Sequence, residues 1–459
     1  MRSSSLYFPI LFLLSTLLHP VFFIQVYSQE YKTSPLAFSL LQAQEYAFEH
    51  NYDLQNSAKD VEIARKMVKQ NTAIGLPQIN ANIDYMDYIN MPTTIIPNFL
   101  PDTTGIAPKT LEVQFGMKYN MTAKATLTQL IYSGQYLVGL QTAKAYLETT
   151  RQKYIKDKVD VRILVTDGYY QLLVVDEAMK ILDSTYVVIS KLLKEVRESY
   201  KAGLIEDIDV DQAELNQFNL EAQINDTRNA RNLAYARLKF IMGLKDDQEM
   251  VLTDNLKFFL DQVNRDALLS RPFDYRTNID FIMLKKSDYL ILMQYKLAKT
   301  AYQPTLAGFL GVSENAQRNS WTFFNTDQKW YNTTNWGLSI NITIWSSGNR
   351  KFAVDQARLN VEKTKITDEK VRVGLELQVE TAKKDFNNAY LVYQNKEKGF
   401  RMSLKIYEKT MEKYKLGIAS STDLNQRYSQ FLQANNDFML SIYTVLAMQT
   451  KLNKLLEQF

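Results

Sequence analysis

The sequence predicts an α+β membrane protein with an internal duplication, in which each chain supplies four β-strands and two very long helical hairpins. Three observations predict this fold: self-similarity between the two halves of the chain, stretches of period-two alternation, and helical stretches that end at glycine turns. Four strands are too few to close a barrel, and an open sheet edge in lipid leaves backbone polar groups without partners. We therefore expect several chains to pool their strands.

The duplication is visible as marker residues that recur in the same order in both halves. The paired positions are Asn51 and Asn278, Asp53 and Asp280, Pro77 and Pro304, Gly134 and Gly348, Ala143 and Ala357, Tyr200 and Tyr414, Gly203 and Gly417, Asp209 and Asp423, and Leu238 and Leu452. Such self-similarity indicates one supersecondary unit used twice. We expect a first repeat at 29–244, a linker region at 245–275 and a second repeat at 276–459. Each repeat is expected to hold a helix, a strand pair at about 78–128 or 305–345, and a helical hairpin at 132–244 or 348–456.

Residues 1–28 predict a secretory signal peptide. Arg2 precedes an apolar run from Leu6 to Leu18 that extends to Ile24, and Val26-Tyr27-Ser28 end the segment before a cleavage site at Gln29. The alternative is a transmembrane anchor, which Pro9 and Pro20 disfavour because they interrupt the run of about 20 apolar residues that a membrane helix needs. No later apolar run is long enough for such a helix, so a membrane location requires strands.

The strands are predicted from strict alternation of apolar and polar residues. Residues 111–127 alternate without a break, and residues 336–344 do so in the second half. Shorter partners begin after Pro77 and Pro304, which gives two strand pairs. The loop from Met91 to Lys109 is rich in proline and is expected to project outward.

A soluble sheet packed on helices is the alternative interpretation of this alternation. Two features favour lipid instead. The stretch at 111–127 exceeds the roughly 9 to 11 residues that cross a bilayer, whereas soluble strands have about five or six. Aromatic residues also gather at the expected strand ends, where an interfacial girdle would lie; they are Tyr85, Tyr88, Trp321, Phe323, Phe324, Trp330, Tyr331 and Trp336. Two chains would give eight strands and three would give twelve, and periodicity does not choose between them.

After each strand pair the apolar residues recur with the spacing of a helix, from Gly134 to about Lys201 and from about Asn349 to Lys415. Each stretch ends at a tip turn, which holds Tyr200 and Gly203 in the first hairpin and Tyr414 and Gly417 in the second. Glycine there supplies a left-handed helix stop. We predict Asp209 and Asp423 to be the N-caps of the return helices. The return helices carry apolar residues at three-four spacing, which predicts coiled-coil packing in an extended bundle or tube.

Composition excludes several classes of chemistry. The 459-residue chain has no Cys, which excludes disulfides, thiolate metal sites and catalytic thiols. Its two His, His19 and His50, give no basis for a histidine metal site or a catalytic triad. The formal net charge of +4 gives no case for nucleic acid. With no phosphate-binding loop or nucleophile elbow, we expect no enzyme activity, no cofactor and no metal.

Taken in order, these features resemble the TolC family of outer-membrane efflux channels. The resemblance rests on the duplication and on two motifs that occur once in each half. The motif that leads into a strand is Pro77-Gln-Ile79 in the first half and Pro304-Thr-Leu306 in the second. The motif that leads out of a strand is Tyr132-Ser-Gly134 in the first half and Trp345-Ser-Ser-Gly348 in the second. It also rests on the two tyrosine-glycine turns, each followed by Asp. It covers essentially the whole chain after the signal peptide.

The resemblance implies a homotrimer with a twelve-stranded β-barrel in outer-membrane lipid, continued by a long α-helical barrel in the periplasm. Residues 245–275 would form an equatorial belt around the helical part. The implied partners are a periplasmic adaptor (a membrane fusion protein) and an inner-membrane pump of the proton-driven RND type or the ATP-driven ABC type. The implied function is a passive duct of a tripartite efflux or type I secretion system, with a periplasmic tip gated by splaying of the helices.

The resemblance also implies site residues at the hairpin tips. Asp209 and Asp423 match tip positions, where each would become a ring of three carboxylates that favours cations. Tyr414 matches a tyrosine that locks the tip closed. The chain departs from the family in three ways: the stretch 418–421 replaces a basic residue, Gln426 replaces a second acid, and Glu206, Asp207 and Asp211 make the first tip more acidic. The plainer interpretation of these acids is helix capping and a solvated tip.

Two other functions remain open on the sequence. A periplasmic adaptor or tether also contains long helical hairpins, but it would carry lipoyl-like and small barrel domains in place of two strand pairs. A secreted hydrolase has only the signal peptide in its favour. The sequence names no cargo.

Overall fold

The computed structural model describes residues 35–99 and 109–456. The predicted signal peptide lies outside the described residues, as do residues 100–108 of the predicted outer loop.

Long helices dominate the described part of the chain. The helices are α1 (Leu40–His50), α2 (Tyr52–Ala73), α3 (Gly134–Lys201), α4 (Asp207–Met242), α5 (Leu256–Asp261), α6 (Arg265–Ser270), α7 (Ile279–Lys299), α8 (Asn349–Lys415) and α9 (Ser421–Leu456), with 3-10 turns at Tyr275–Thr277 and Thr300–Tyr302. Helices α3 and α8 have 68 and 67 residues, which at about 1.5 Å per residue makes each roughly 100 Å long. Each packs antiparallel against its return helix, α4 or α9, so the chain contains two extended hairpins.

The strands of the described residues form three separate sheets. They are β1 (Leu36–Phe38), β2 (Gln78–Asp87), β3 (Thr93–Pro97), β4 (Thr110–Gln114), β5 (Tyr119–Ser133), β6 (Met250–Leu252), β7 (Thr305–Arg318) and β8 (Tyr331–Asn341). The main sheet is antiparallel with the order β2-β5-β7-β8, so the two strand pairs of the two repeats lie side by side. Strands β3 and β4 form a separate hairpin, and β1 pairs in parallel with β6.

The prediction of one continuous strand over 111–127 is wrong. The segment divides into β4 and β5, which belong to different sheets. Gly116 separates them with a φ of 111°, in the region that glycine adopts and L-residues avoid. Alternation in sequence continues across this glycine, so period two alone could not reveal the break.

The two faces of the main sheet have opposite character. Antiparallel partners point to the same face, so the registers place Ala81, Ala125 and Val312 with the apolar residues and Asn82, Lys124 and Ser313 with the polar ones. The apolar face is exposed in the single chain: Ile79 and Ile83 are each 73% exposed. Hydrophobic residues of this size are normally covered, so this face requires an apolar environment.

The largest buried core lies where the hairpins meet the linker region. Tyr169 of α3 is fully buried there, and its hydroxyl oxygen lies 3.0 Å from the Phe38 carbonyl oxygen and 3.0 Å from Asp254 Oδ2, so both acceptors share its one proton. Strand β1 is thereby fixed to β6 and to α3. A second core farther down joins α3, α4, α8 and α9 through residues such as Leu192, Leu220 and Tyr428.

An equivalent asparagine makes the same contacts at the base of the hairpin in both repeats. Asn51 and Asn278 are buried N-caps of α2 and α7, and their side chains accept from Leu54 N and Asp280 N, both at 3.0 Å. Each also donates its Nδ2 to a carbonyl near the end of a return helix, Asn51 to Ile241 at 2.7 Å and Asn278 to Leu455 at 3.4 Å. One asparagine in each repeat therefore joins the start of a short helix to the end of a long hairpin.

Among residues 35–99 and 109–456, no helix combines the length and apolar character needed to cross a membrane.

Candidate functional site at the hairpin tips

Both hairpins reverse direction through the same glycine turn. Gly203 has a φ of 72°, and Leu204 N donates to Ser199 O at 3.0 Å. Gly417 has a φ of 71°, and Ile418 N donates to Lys413 O at 2.9 Å. These contacts are those of the glycine-terminated helix stop that satisfies the last carbonyls of a helix. The tips of the two repeats are therefore built alike.

The prediction that Asp209 and Asp423 are N-caps is wrong. Helix α4 is capped by Glu206, whose carbonyl accepts from Asp209 N at 3.2 Å. In α9, Ser420 accepts from Asp423 N through its Oγ and from Leu424 N through its carbonyl, both at 3.1 Å. Each aspartate thus lies in the first turn of its helix, where its charge interacts favourably with the positive end of the helix dipole. Neither carboxylate is used to cap its own helix.

A cavity of about 580 Å³ separates the two tips of one chain. Its lining includes Asp209 from α4, Tyr414 and Lys415 from the end of α8, Glu195 from α3 and Ser421 from α9. The structure therefore brings together two predicted site residues, Asp209 and Tyr414, which are 205 positions apart in the sequence. Burial, and then the negative charge of Asp209, raise the pKa of the Tyr414 hydroxyl above its ordinary value.

Two ion pairs at the tips were not predicted from the sequence. Lys415 Nζ lies 2.7 Å from Glu195 Oε2 and thereby joins the end of α8 to α3. Arg427 Nε lies 3.5 Å from Asp423 Oδ1 on the same face of α9. The four-residue spacing of Asp423 and Arg427 was a local signal for their pairing. Glu195 and Lys415 belong to different hairpins, so no local pattern could have paired them.

Of the other predicted site residues, Gly417 also lines this cavity, and the acids of the first tip and Gln426 lie outside it. Glu206, Asp207, Asp211 and Gln426 are exposed, as is Tyr200 at the first tip turn. Asp207 Oδ1 accepts from Ile208 N at 2.9 Å, so this carboxylate binds a backbone N–H in the first turn of its own helix. The tip therefore contains an inner group around Asp209 and Tyr414 and an outer group of solvated acids.

The chemistry available at the tip is electrostatic. Within the described part of the chain, no group of three or more acidic or histidine side chains is placed to hold a metal ion. Asp209 and the exposed acids concentrate negative charge around the first turn of α4, whereas Asp423 is partly neutralised by Arg427. Such a site can attract cations and can be held in place by ion pairs between hairpins.

Comparison with known proteins agrees with this architecture. A family model described as "Outer membrane efflux protein" matches residues 45–244 and 291–457. No curated protein sequence matches the chain.

Solved structures with the same fold include three bacterial outer-membrane proteins. The CmeC outer membrane channel of Campylobacter jejuni is 16% identical, with a TM-score of 0.69 over 91% of this chain and 85% of that one. The open state of the MtrE outer membrane channel of Neisseria gonorrhoeae is 15% identical, with a TM-score of 0.68 over 91% and 88%. The outer membrane protein VceC of Vibrio cholerae is 13% identical, with a TM-score of 0.66 over 91% and 95%. At these identities the likeness shows a shared fold.

Proposed function

Because the chain belongs to the outer membrane efflux protein family, we propose that three copies form a passive export duct from the periplasm across the outer membrane. The family places the protein in the outer membrane and gives it a role in transport, which agrees with the resemblance inferred from the sequence. The trimer, the gate and the partners are the proposed part. In the trimer, twelve strands form one barrel, and the helical hairpins form a tube in the periplasm.

The observation that carries this proposal is the main sheet, which is open at both edges and apolar on one face. Within the described residues, β2 and β8 each pair with a neighbouring strand on one side only. An unpaired edge in hydrocarbon costs several kcal/mol for each backbone group that it leaves without a partner. Pairing β8 of one chain with β2 of the next removes both edges at once, and it places Ile83 and Leu338 against lipid.

The upper part of α8 supports the same assembly. Within that helix the buried residues begin at Leu375, so the segment from Asn349 to Gly374 packs no side chain fully inside its own chain. Its exposed apolar residues recur every seven positions at Phe352, Leu359, Ile366 and Val373. A stripe of this spacing fits against a neighbouring helix, and we assign that helix to another subunit.

The hairpin tips are proposed to be the gate. In the single chain, Lys415 with Glu195 and Tyr414 beside Asp209 hold the α8–α9 tip against the α3–α4 tip. Breaking these contacts would let the tips splay and widen the tube. The MtrE structure of the same fold is an open state of that channel. We propose that this chain also alternates between closed and open tips, with Asp209 and Asp423 facing the passage.

Energy and cargo selection are assigned to partners. A tube built from packed helices has no means of coupling ATP or a proton gradient to export, so we propose that a periplasmic adaptor joins the tips to an inner-membrane pump of the RND or ABC type. The protein itself would then carry out no chemistry on its cargo. The alternative of a periplasmic adaptor is disfavoured by the family match and by the exposed four-stranded sheet.

Engineered disulfides between edge strands test the assembly. One cysteine is introduced on β2, by Asn82→Cys, and one on β8, by Thr333→Cys or Asn335→Cys. The natural chain has no Cys, so these two cysteines are the only ones that can form a disulfide. All three positions lie on the polar face of the sheet. Oxidation in native membranes should give a ladder that ends at three linked chains. A ladder ending at two chains, or recovery of the protein as a water-soluble monomer, would overturn the proposal. Single-cysteine variants are the matched controls.

A further inference from the structure

The loop between β7 and β8, residues 319–330, is folded into a compact unit. Trp330 Nε1 donates to the Phe323 carbonyl at 3.2 Å, and the Thr322 hydroxyl bonds to Gln328 Oε1 at 3.0 Å. The Arg318 guanidinium closes the base of the loop by donating to Lys329 O at 2.8 Å. A loop held by these bonds presents its aromatic side chains in fixed positions.

Phe323 fastens this loop onto the main sheet. Its side chain is 1% exposed, and its ring stands perpendicular to the ring of Tyr85 with 6.1 Å between centroids. Tyr85 lies on β2, two strands away from β7 in the order β2-β5-β7-β8. The loop therefore extends back across the sheet and does not continue straight out from the strand ends.

The register identifies the face on which the loop lies. Tyr85 is opposite Met121, and Met121 is opposite Ala316, so all three side chains point to the apolar face. Ala316 is 1% exposed, whereas Val312 on the same strand and face is 40% exposed. The loop thus covers one end of the apolar face and leaves the rest of it open.

Two aromatic side chains of the loop remain exposed on this side. Trp321 is 58% exposed and Phe324 is 73% exposed. The Trp321 ring packs edge-on against Phe323, at 6.2 Å between centroids, and against Phe324, at 5.8 Å. Beyond the opposite end of β8, which is Asn341, Ile344 and Trp345 are 91% and 81% exposed. The 11 residues of β8 rise about 36 Å along the strand, or about 25 Å at a tilt of 45°, which matches the apolar band of an outer-membrane barrel.

We propose that the 319–330 loop is a lipid anchor, and that Trp321 and Phe324 enter the interfacial layer of the outer leaflet. This proposal rests on the proposed function, in which the apolar face of the main sheet meets lipid. Aromatic rings favour this layer because they combine a large apolar area with tolerance of a polar surrounding. Because Phe323 and Trp330 fix the loop before it meets the membrane, little conformational entropy remains to be lost on insertion.

Single-tryptophan fluorescence in bilayers separates this proposal from the one on which it rests. The chain has four Trp, all between 321 and 345. In one variant only Trp321 remains, and in a matched variant only Trp336 remains, with Phe at the other three positions. Trp336 is 79% exposed near the middle of the apolar face. Both proteins are reconstituted in phosphatidylcholine vesicles whose acyl chains carry bromine at a shallow or a deep position.

We expect bromolipid to quench both tryptophans, with Trp321 losing more intensity to shallow bromine and Trp336 losing more to deep bromine. Quenching of Trp336 alone, with Trp321 quenched by aqueous iodide, would overturn the anchor and leave the lipid-facing sheet intact. No bromolipid quenching at either position would overturn both proposals.

A second probe avoids replacing Trp330, whose hydrogen bond helps to fold the loop. A bimane dye attached at Phe324→Cys, in a chain with all four tryptophans, should shift its emission to the blue on reconstitution. The same dye at Asn335→Cys on the polar face is the control. An emission at Phe324→Cys as red as that control would overturn the anchor.

Discussion

The carboxylates of Asp209 and Asp423 have different surroundings at the same position of their helices. Asp209 faces the cavity beside Tyr414, whereas Asp423 lies 3.5 Å from Arg427. A carboxylate with a cation beside it contributes less negative potential to a passage than one without. The two acids are therefore expected to contribute unequally to ion selection at the tip.

Replacing both Asp209 and Asp423 by Ala should lower the preference of the open channel for cations. Removing two rings of three charges changes the cation free energy at the tip by about 0.5–1 kcal/mol, a factor of roughly two to five in the permeability ratio. Asp209→Ala alone should have the larger effect, and Arg427→Ala should raise the cation preference. Reversal potentials across planar bilayers in a salt gradient measure these ratios.

The control for this pair is Asp226→Ala, which removes an exposed carboxylate from the same helix 17 residues from Asp209. It should leave the reversal potential unchanged. Unchanged selectivity in the Asp209 and Asp423 double variant would reject both residues as the selectivity ring.

The Lys415–Glu195 pair is expected to help keep the tip closed. Lys415→Glu places two like charges where opposite charges lie 2.7 Å apart. Both side chains are 41% exposed, so each pair contributes only about 0.5 kcal/mol. Three pairs in one trimer give about 1.5 kcal/mol, and the open fraction in single-channel recordings should rise by roughly tenfold.

Adding Glu195→Lys to Lys415→Glu should restore the open fraction, because the exchanged charges attract again. Lys413→Glu is the matched control, since it makes the same charge change at an exposed lysine two positions away. An equal increase in the Lys413 variant would mean that the pair has no specific role.

The sequence predicted which residues lie at the tips but only part of how they are arranged. The repetition of tyrosine, glycine and aspartate in both halves located the two turns, and the positive φ of Gly203 and Gly417 explains why glycine occurs there. Capping was misassigned because Ser420 and Glu206 begin the helices three positions before the aspartates. The proximity of Tyr414 to Glu195 and Asp209 depends on how two hairpins pack, which no local pattern encodes.

At the scale of elements, the glycine turns set where each hairpin reverses. A Cβ added at Gly203 or Gly417 would meet no atom within 4 Å, so the cost of a side chain arises from the backbone alone. Gly203→Ala and Gly417→Ala should each destabilise the folded protein by about 1–2 kcal/mol. The measurement is the midpoint of unfolding in detergent, monitored by circular dichroism.

Gly399→Ala is the matched control, and its expected effect on stability has the opposite sign. Gly399 is exposed in the middle of α8, where an added Cβ also meets nothing within 4 Å. Alanine at such a helical site should stabilise the protein by about 0.5–1 kcal/mol. Equal destabilisation by all three substitutions would contradict the left-handed conformation at the tips.

Alternation predicted most of the main sheet but not its connections. Residues 78–87 and 331–341 form strands within the predicted strand pairs, and alternate side chains of each strand point to opposite faces of the sheet. The β3–β4 hairpin and the folded 319–330 loop were not predicted. Phe323 and Trp330 gave a local signal as aromatic residues, but only the contact with Tyr85 shows that they fold back over the sheet.

At the scale of the whole molecule, the single chain leaves complementary surfaces without a partner. Among residues 35–99 and 109–456, the main sheet is open at β2 and β8, and α8 exposes an apolar stripe before Leu375. In the proposed tube, a neighbouring subunit would cover both features. The oligomer is thus expected to be obligatory, with strand pairing in lipid and helix packing in the periplasm contributing separately.

The α8 stripe allows these two contributions to be separated. Leu359 and Ile366 are 53% and 72% exposed, and burying two such side chains in an interface is worth about 3 kcal/mol or more per subunit. The double substitution Leu359→Asp and Ile366→Asp should therefore weaken the trimer more than about 100-fold, as measured by native mass spectrometry of detergent-solubilised protein. Asn360→Asp adds a carboxylate to the polar side of the same turn and should leave the trimer intact. If the Leu359 and Ile366 variant remains trimeric at the same protein concentration, the stripe does not form a subunit interface, and strand pairing alone must hold the assembly together.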